Sequence, residues 1–262
     1  MNTMNIHNRL THRHVTASII LASMLLACVP AVLIADDAQN WPEPINDTGR
    51  YTKLMFDRLE YDWGDTGDVV LWDAQFWHGG DYDRLWIETE GEDSATGKGG
   101  ELEKLDVFYS HRFSAYWDYQ LGPGYQLIYG PGPDKDRWFA VLGLQGLAPY
   151  WFEIDANLRI SDDADASVDL EAEYEWLLTQ RLILQPRFET AYAFNEVQEF
   201  GVGKGLNTVQ FGLRLRYQVR REFAPYIGIS WTGKYGDTAD LAREEGEDIR
   251  DTALVAGIRM WF

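Results

Sequence analysis

The chain has 262 residues, with 42 acidic and 23 basic side chains and a formal charge of −19 at neutral pH. So acidic a protein repels phosphate backbones, which excludes nucleic acid as a partner and favours cations or a cation-rich surrounding. Eleven Trp, fourteen Tyr and twelve Phe beside twenty-four Gly suit many strands joined by hairpins and do not suit a helical bundle.

Residues 7–14, HNRLTHRH, are positively charged, and the unbroken apolar run Val15–Ala35 ends at Asp36 and Asp37. This pattern predicts a secretory signal over residues 1–35, cut after Ala35. A retained membrane anchor is the alternative, because the run is close to the roughly 20 residues that a spanning helix needs. A lipoprotein cut before Cys28 is disfavoured, since the apolar run continues through Val32, Leu33 and Ile34. Loss of the signal removes Arg9 and Arg13 but no acidic residue, so the mature chain is more acidic still. It also removes Cys28, the single cysteine, which closes disulfide, thiolate-metal and cysteine-nucleophile chemistry. Residues 36–50, DDAQNWPEPINDTGR, read as a short periplasmic leader.

From residue 51 onward the sequence alternates apolar and polar residues in segments of about ten, the signature of transmembrane strands. Twelve segments fall near 51–62, 69–78, 82–90, 101–111, 117–128, 138–146, 151–161, 166–176, 182–193, 207–218, 224–234 and 251–262. In 152–161, for example, Phe152, Ile154, Ala156, Leu158 and Ile160 alternate with Glu153, Asp155, Asn157, Arg159 and Ser161. The prediction is an all-β chain: a transmembrane antiparallel up-and-down β-barrel of about twelve strands over 51–262, with ten or fourteen as alternatives. An even count places both termini in the periplasm. Hydrophilic loops such as DWGDTGD, GEDSATGKGG, YGPGPDKDR and GKYGDTADLAREEGEDIR fall in the odd gaps, and compact turns around HGGD, GLAPY and RREFA in the even ones. The last strand ends on Phe262, in keeping with interfacial aromatic girdles against outer-membrane lipid. A soluble sandwich would have shorter strands, usually of about five or six residues.

The polar face reads as a lumen. Asp73, Glu88, Glu90, Glu153, Asp155, Glu171 and Glu173 would face arginines such as Arg84, Arg187, Arg214, Arg216 and Arg259 across a narrow interior. Two readings stay open: an acidic lumen that attracts cations and rejects anions, or a salt-bridged core that stabilises the wall. Opposed charges would plug or constrict it.

Several stretches resemble the copper resistance protein B family: FDRLEYDWGD (56–65), LWDAQFWHGGDYDRLWIETEGE (71–92), AVLGLQGLAPYWFEIDA (140–156), LEAEYEWLLTQRLILQPRFE (170–189), LRLRYQVRREFAPYIGISWTGKYGDTAD (213–240) and DTALVAGIRMWF (251–262). The resemblance covers nearly all of the mature chain in order. It implies an outer-membrane location and a part in copper tolerance, usually beside a periplasmic multicopper oxidase, through copper binding or movement across the membrane. The rival is a general structural or diffusion barrel whose copper role comes from its periplasmic partner. One departure matters: such proteins commonly carry a Met- and His-rich N-terminal tail, and residues 36–50 hold neither residue.

The mature chain keeps Met55, Met260, His78 and His111 as thioether or imidazole donors. His78 and His111 close the second and fourth predicted strands on the periplasmic rim, where they could share a copper ion with Met55 if their rings turned together. The bland alternative has rim histidines bonded to turn backbone and Met55 packed in the wall; a metal normally wants four ligands and these are three. No catalysis is expected: His111 and Ser114 lie in a turn with no third group to orient the imidazole. The glycines at 201, 203 and 205 lack the strand-to-helix context of a phosphate loop.

Overall fold

The computed structural model describes residues 49–262, except 98 and 131. The expected signal segment and all but the last two residues of the leader lie outside the described residues. The strands are β1 (Tyr51–Gly64), β2 (Asp68–Gly79), β3 (Asp83–Ser94), β4 (Gly100–Arg112), β5 (Trp117–Tyr129), β6 (Lys135–Ala148), β7 (Phe152–Ser161), β8 (Ala166–Glu173), β9 (Trp176–Leu177), β10 (Leu182–Ala193), β11 (Gly205–Tyr217), β12 (Phe223–Lys234) and β13 (Arg250–Trp261).

All are antiparallel to their neighbours, and β1 pairs with β13, so the sheet closes on itself with no free edge. The seam extends to the last residue: Leu54 and Phe262 exchange both backbone hydrogen bonds, at 3.1 and 2.8 Å. β8 and β9 are two pieces of one stave, both paired with β10, so the ring holds the expected twelve places. The interruption has a chemical cause. Tyr174 donates its N–H to the Pro186 carbonyl at 3.1 Å, but proline has no N–H to return, and the ladder breaks there.

Ten of the thirteen strands reach 12 to 14 residues where the alternation suggested about ten, and β7 keeps ten. Much of DWGDTGD, GEDSATGKGG and YGPGPDKDR continues the ladder, since backbone pairing needs no apolar face once the chain leaves hydrocarbon. The long connections that remain are 194–204 and 235–249. The second holds the helix α1 (Gly236–Glu245), anchored where Thr238 Oγ1 accepts the Gly203 N–H at 2.9 Å. No helix among the described residues is long and apolar enough to cross a membrane.

Large apolar side chains cover the outer wall. Leu213, Ile229 and Leu254 stand in register on β11, β12 and β13, and all three are exposed. A contiguous apolar belt of this kind has no place in water and is the surface that lipid covers. Aromatics crowd the end that carries the short turns: Tyr82, Phe113, Tyr116, Tyr150 and Trp151 are all exposed there. The lumen face buries many charged groups: Arg58, Glu60, Glu90, Asp106, Arg187, Arg214 and Arg216 are each less than 5% exposed.

Candidate functional site

Alternation turns one face of each strand inward, and the lumen is where those faces meet. All seven carboxylates read from the sequence lie on inward positions of β2, β3, β7 and β8. Arg187 of β10 holds the centre. Its guanidinium meets Glu189 at 2.5 Å, Glu171 at 2.7 Å, Asp73 at 3.1 Å, Glu173 at 3.2 Å, Asp57 at 3.7 Å and Glu90 at 3.9 Å. Arg58 shares three of these partners, pairing with Asp73 at 3.2 Å, Glu189 at 3.4 Å and also Glu90. Lys104 adds a contact to Glu90 at 2.6 Å. Three cations therefore sit among six carboxylates, the two guanidiniums buried while Glu171, Glu189 and Lys104 keep part of their surface open.

Around this centre lie smaller clusters. Arg214 makes two hydrogen bonds to Glu60, both 2.7 Å, and Arg159 ties Asp106 to Asp169. Arg259 joins Asp57 to Glu175 near the turn end. Glu88, Glu153 and Asp155 have no basic partner within ion-pair distance among the described residues; Glu88 accepts from the Trp86 indole at 2.6 Å and Asp155 from the Asn157 amide at 2.6 Å.

Two features were not legible beforehand. Arg58 is inward because β1 carries a bulge between Phe56 and Arg58, which turns the adjacent Asp57 and Arg58 to the same side. Two successive charged residues inside an alternating strand were the available signal. The lumen is also not polar throughout: Trp86, Phe108, Phe139 and Val141 form a buried apolar cluster inside it, with Trp77 stacked on Trp86 at 6.3 Å. At the loop end, segment 194–204 reaches over to β6, where Phe200 covers the Arg137 guanidinium at 4.2 Å and Lys135 donates to the Glu199 carbonyl.

The structure does not bring His78, His111 and Met55 together. His78 and His111 point outward from β2 and β4 with β3 between them, opposite Leu85 and Asp83. His78 Nδ1 is 2.7 Å from the Thr52 hydroxyl; His111 Nδ1 is 2.7 Å from Asp83 and its ring lies 5.3 Å from Tyr119, so it belongs to the aromatic rim. Met55 faces the lumen, its sulfur 3.6 Å from an Arg259 nitrogen, and a guanidinium at that range opposes a metal cation there. Among the described residues no group of three or more His, Cys, Asp or Glu is arranged to hold a metal. Ser114 lies in the turn after β4, where its hydroxyl accepts the Tyr116 N–H at 3.3 Å.

Comparison with known proteins agrees with this architecture. The family model described as copper resistance protein B precursor matches residues 50–262. Copper resistance protein B of Escherichia coli is 39% identical over 222 residues, covering 83% of this chain and 72% of that protein. A copper resistance protein B homolog of Pseudomonas syringae pv. tomato is 37% identical over 238 residues, covering 89% of this chain and 79% of its own length. Among solved structures the NanC porin superposes with a TM-score of 0.50 at 10% identity, over 79% of this chain and 98% of that one, a likeness of fold alone. With its outer-membrane barrel and a match that runs from the first strand to the last residue, the chain belongs to the copper resistance protein B family.

Proposed function

We propose that this barrel serves copper tolerance by binding copper ions in its acidic lumen or mediating their passage across the outer membrane, without catalysis. The observation that carries the reading is the surplus of carboxylates over cations around Arg187 and Arg58, in a buried space where an added cation lowers the electrostatic cost. In this reading residues 1–35 are a cleaved signal, residues 36–50 a leader, and both termini face the periplasm. The test is flux into liposomes that carry the folded barrel. Copper entry above that of sodium supports lumen passage, and metal analysis of the purified protein after copper exposure reads binding directly.

The donor set favours a second reading, in which the barrel is a structural or general diffusion element and copper chemistry belongs to a periplasmic multicopper oxidase. The lumen offers few soft ligands, and its Met55 thioether is already against Arg259. Equal passage of copper and sodium, with no copper retained by the protein, would select it.

A further inference from the structure

A row of four inward positions crosses β4, β5, β6 and β7 in register: Ser110, Gln120, Gly143 and Asn157. The three side chains are 1%, 0% and 3% exposed, and each has a buried oxygen with no hydrogen-bond partner among the described residues: Ser110 Oγ, Gln120 Oε1 and Asn157 Oδ1. The amide orientations are fixed by their nitrogens. Asn157 Nδ2 donates to Asp155 at 2.6 Å and Asp169 at 3.0 Å, and Gln120 Nε2 donates to Gln145 Oε1 at 3.3 Å. Each amide oxygen must therefore point the other way, and both point over Gly143. A Cβ built on Gly143 would lie 2.6 Å from Asn157 Oδ1 and 3.1 Å from Gln120 Oε1, so glycine keeps this space clear.

Two amide oxygens that converge with no donor between them repel one another unless something positive lies there. We infer that Gln120 and Asn157 form, above Gly143, a site for a hard divalent cation of the calcium class, with Asp155 supplying negative charge and the Ser110 hydroxyl next to Gln120 in the row. Asp155 sits one hydrogen bond from Asn157 and has no ion-pair partner among the described residues. Calcium accepts amide carbonyl, hydroxyl and carboxylate oxygens together and completes its shell with water, whereas soft metals prefer sulfur and imidazole. The site thus differs in chemistry from any that would select copper(I), and it stands whether or not the barrel carries copper.

Equilibrium dialysis of the full mature barrel, folded in detergent, with radiolabelled Ca2+ and no copper present tests this. The wild type retains a Ca2+ that Gly143→Ala loses, because the new methyl fills the space. Gln120→Glu keeps an oxygen there and adds charge, and it tightens Ca2+ binding by about tenfold, a gain that misfolding cannot imitate. Gel mobility with and without heating establishes that each variant is folded. No protein-bound Ca2+ in the wild type, the result if a water molecule occupies the site, overturns the inference. So does equal Ca2+ binding in the wild type and both folded variants.

Discussion

Arg187 and Glu90 approach to 3.9 Å although their strands, β10 and β3, stand on opposite sides of the ring, each six places from the other. At this level the side chains of one wall touch those of the facing wall. The lumen is therefore a packed, charged interior at mid-height, and any ion that passes must exchange partners with this cluster.

Arg187 is the group whose loss leaves most charge uncompensated. Arg187→Met is expected to destabilise the barrel by about 3–5 kcal/mol, because several buried carboxylates lose their shared partner. Urea unfolding in lipid vesicles, followed by tryptophan fluorescence, measures it. A cost below about 1 kcal/mol would show that water already solvates the cluster, as at a surface ion pair.

The outer wall predicts the reverse sensitivity. Ile229 lies between Leu213 and Leu254 in the apolar belt. Ile229→Arg should cost about 2–4 kcal/mol in a bilayer, the penalty for a cation near the hydrocarbon midplane. The same unfolding assay reads it, and an unchanged midpoint would place Ile229 outside the hydrocarbon.

Pro186 breaks one rung of the ladder. Pro186→Ala supplies the missing N–H opposite Tyr174, and the bond gained, about 0.5–1.5 kcal/mol net, is largely offset by the freer unfolded chain, about 0.4–1 kcal/mol. Stability should barely move, while exchange of the newly introduced amide becomes as slow as at neighbouring β10 positions. Rapid exchange there would mean that the break between β8 and β9 has another origin.

If the lumen handles copper, its carboxylates should matter more than the rim imidazoles. Neutralising Glu171 and Glu173 together as glutamines is expected to weaken copper binding by about tenfold, equivalent to about 1.4 kcal/mol. His78→Ala with His111→Ala, both on the outer face, should leave it within about twofold by the same conversion. Titration calorimetry on the folded protein ranks the two, and the opposite ranking would return copper to the rim.

Period-two alternation is a local property of the chain, and each strand of a barrel has one lipid face and one lumen face. That is why the twelve staves and their order are legible in the sequence. The aromatics inside were hidden for the same reason. Trp86 and Phe108 carry outward chemistry at inward positions, and only the curvature of the closed wall brings them to Phe139 and Val141 of β6 in the lumen.

Residue pattern alone was enough to specify an acidic barrel of twelve staves, because backbone pairing and a hydrocarbon solvent leave an alternating chain little choice. Which groups meet across the interior emerged with the folded ring: Arg187 serves six carboxylates, Met55 and the two histidines lie on opposite faces of the wall, and two orphan amide oxygens converge over Gly143. Those contacts join residues far apart in the chain, and they depend on ring closure and shear, which no single strand encodes, and on one bulge whose trace in the strand is the adjacent Asp57 and Arg58.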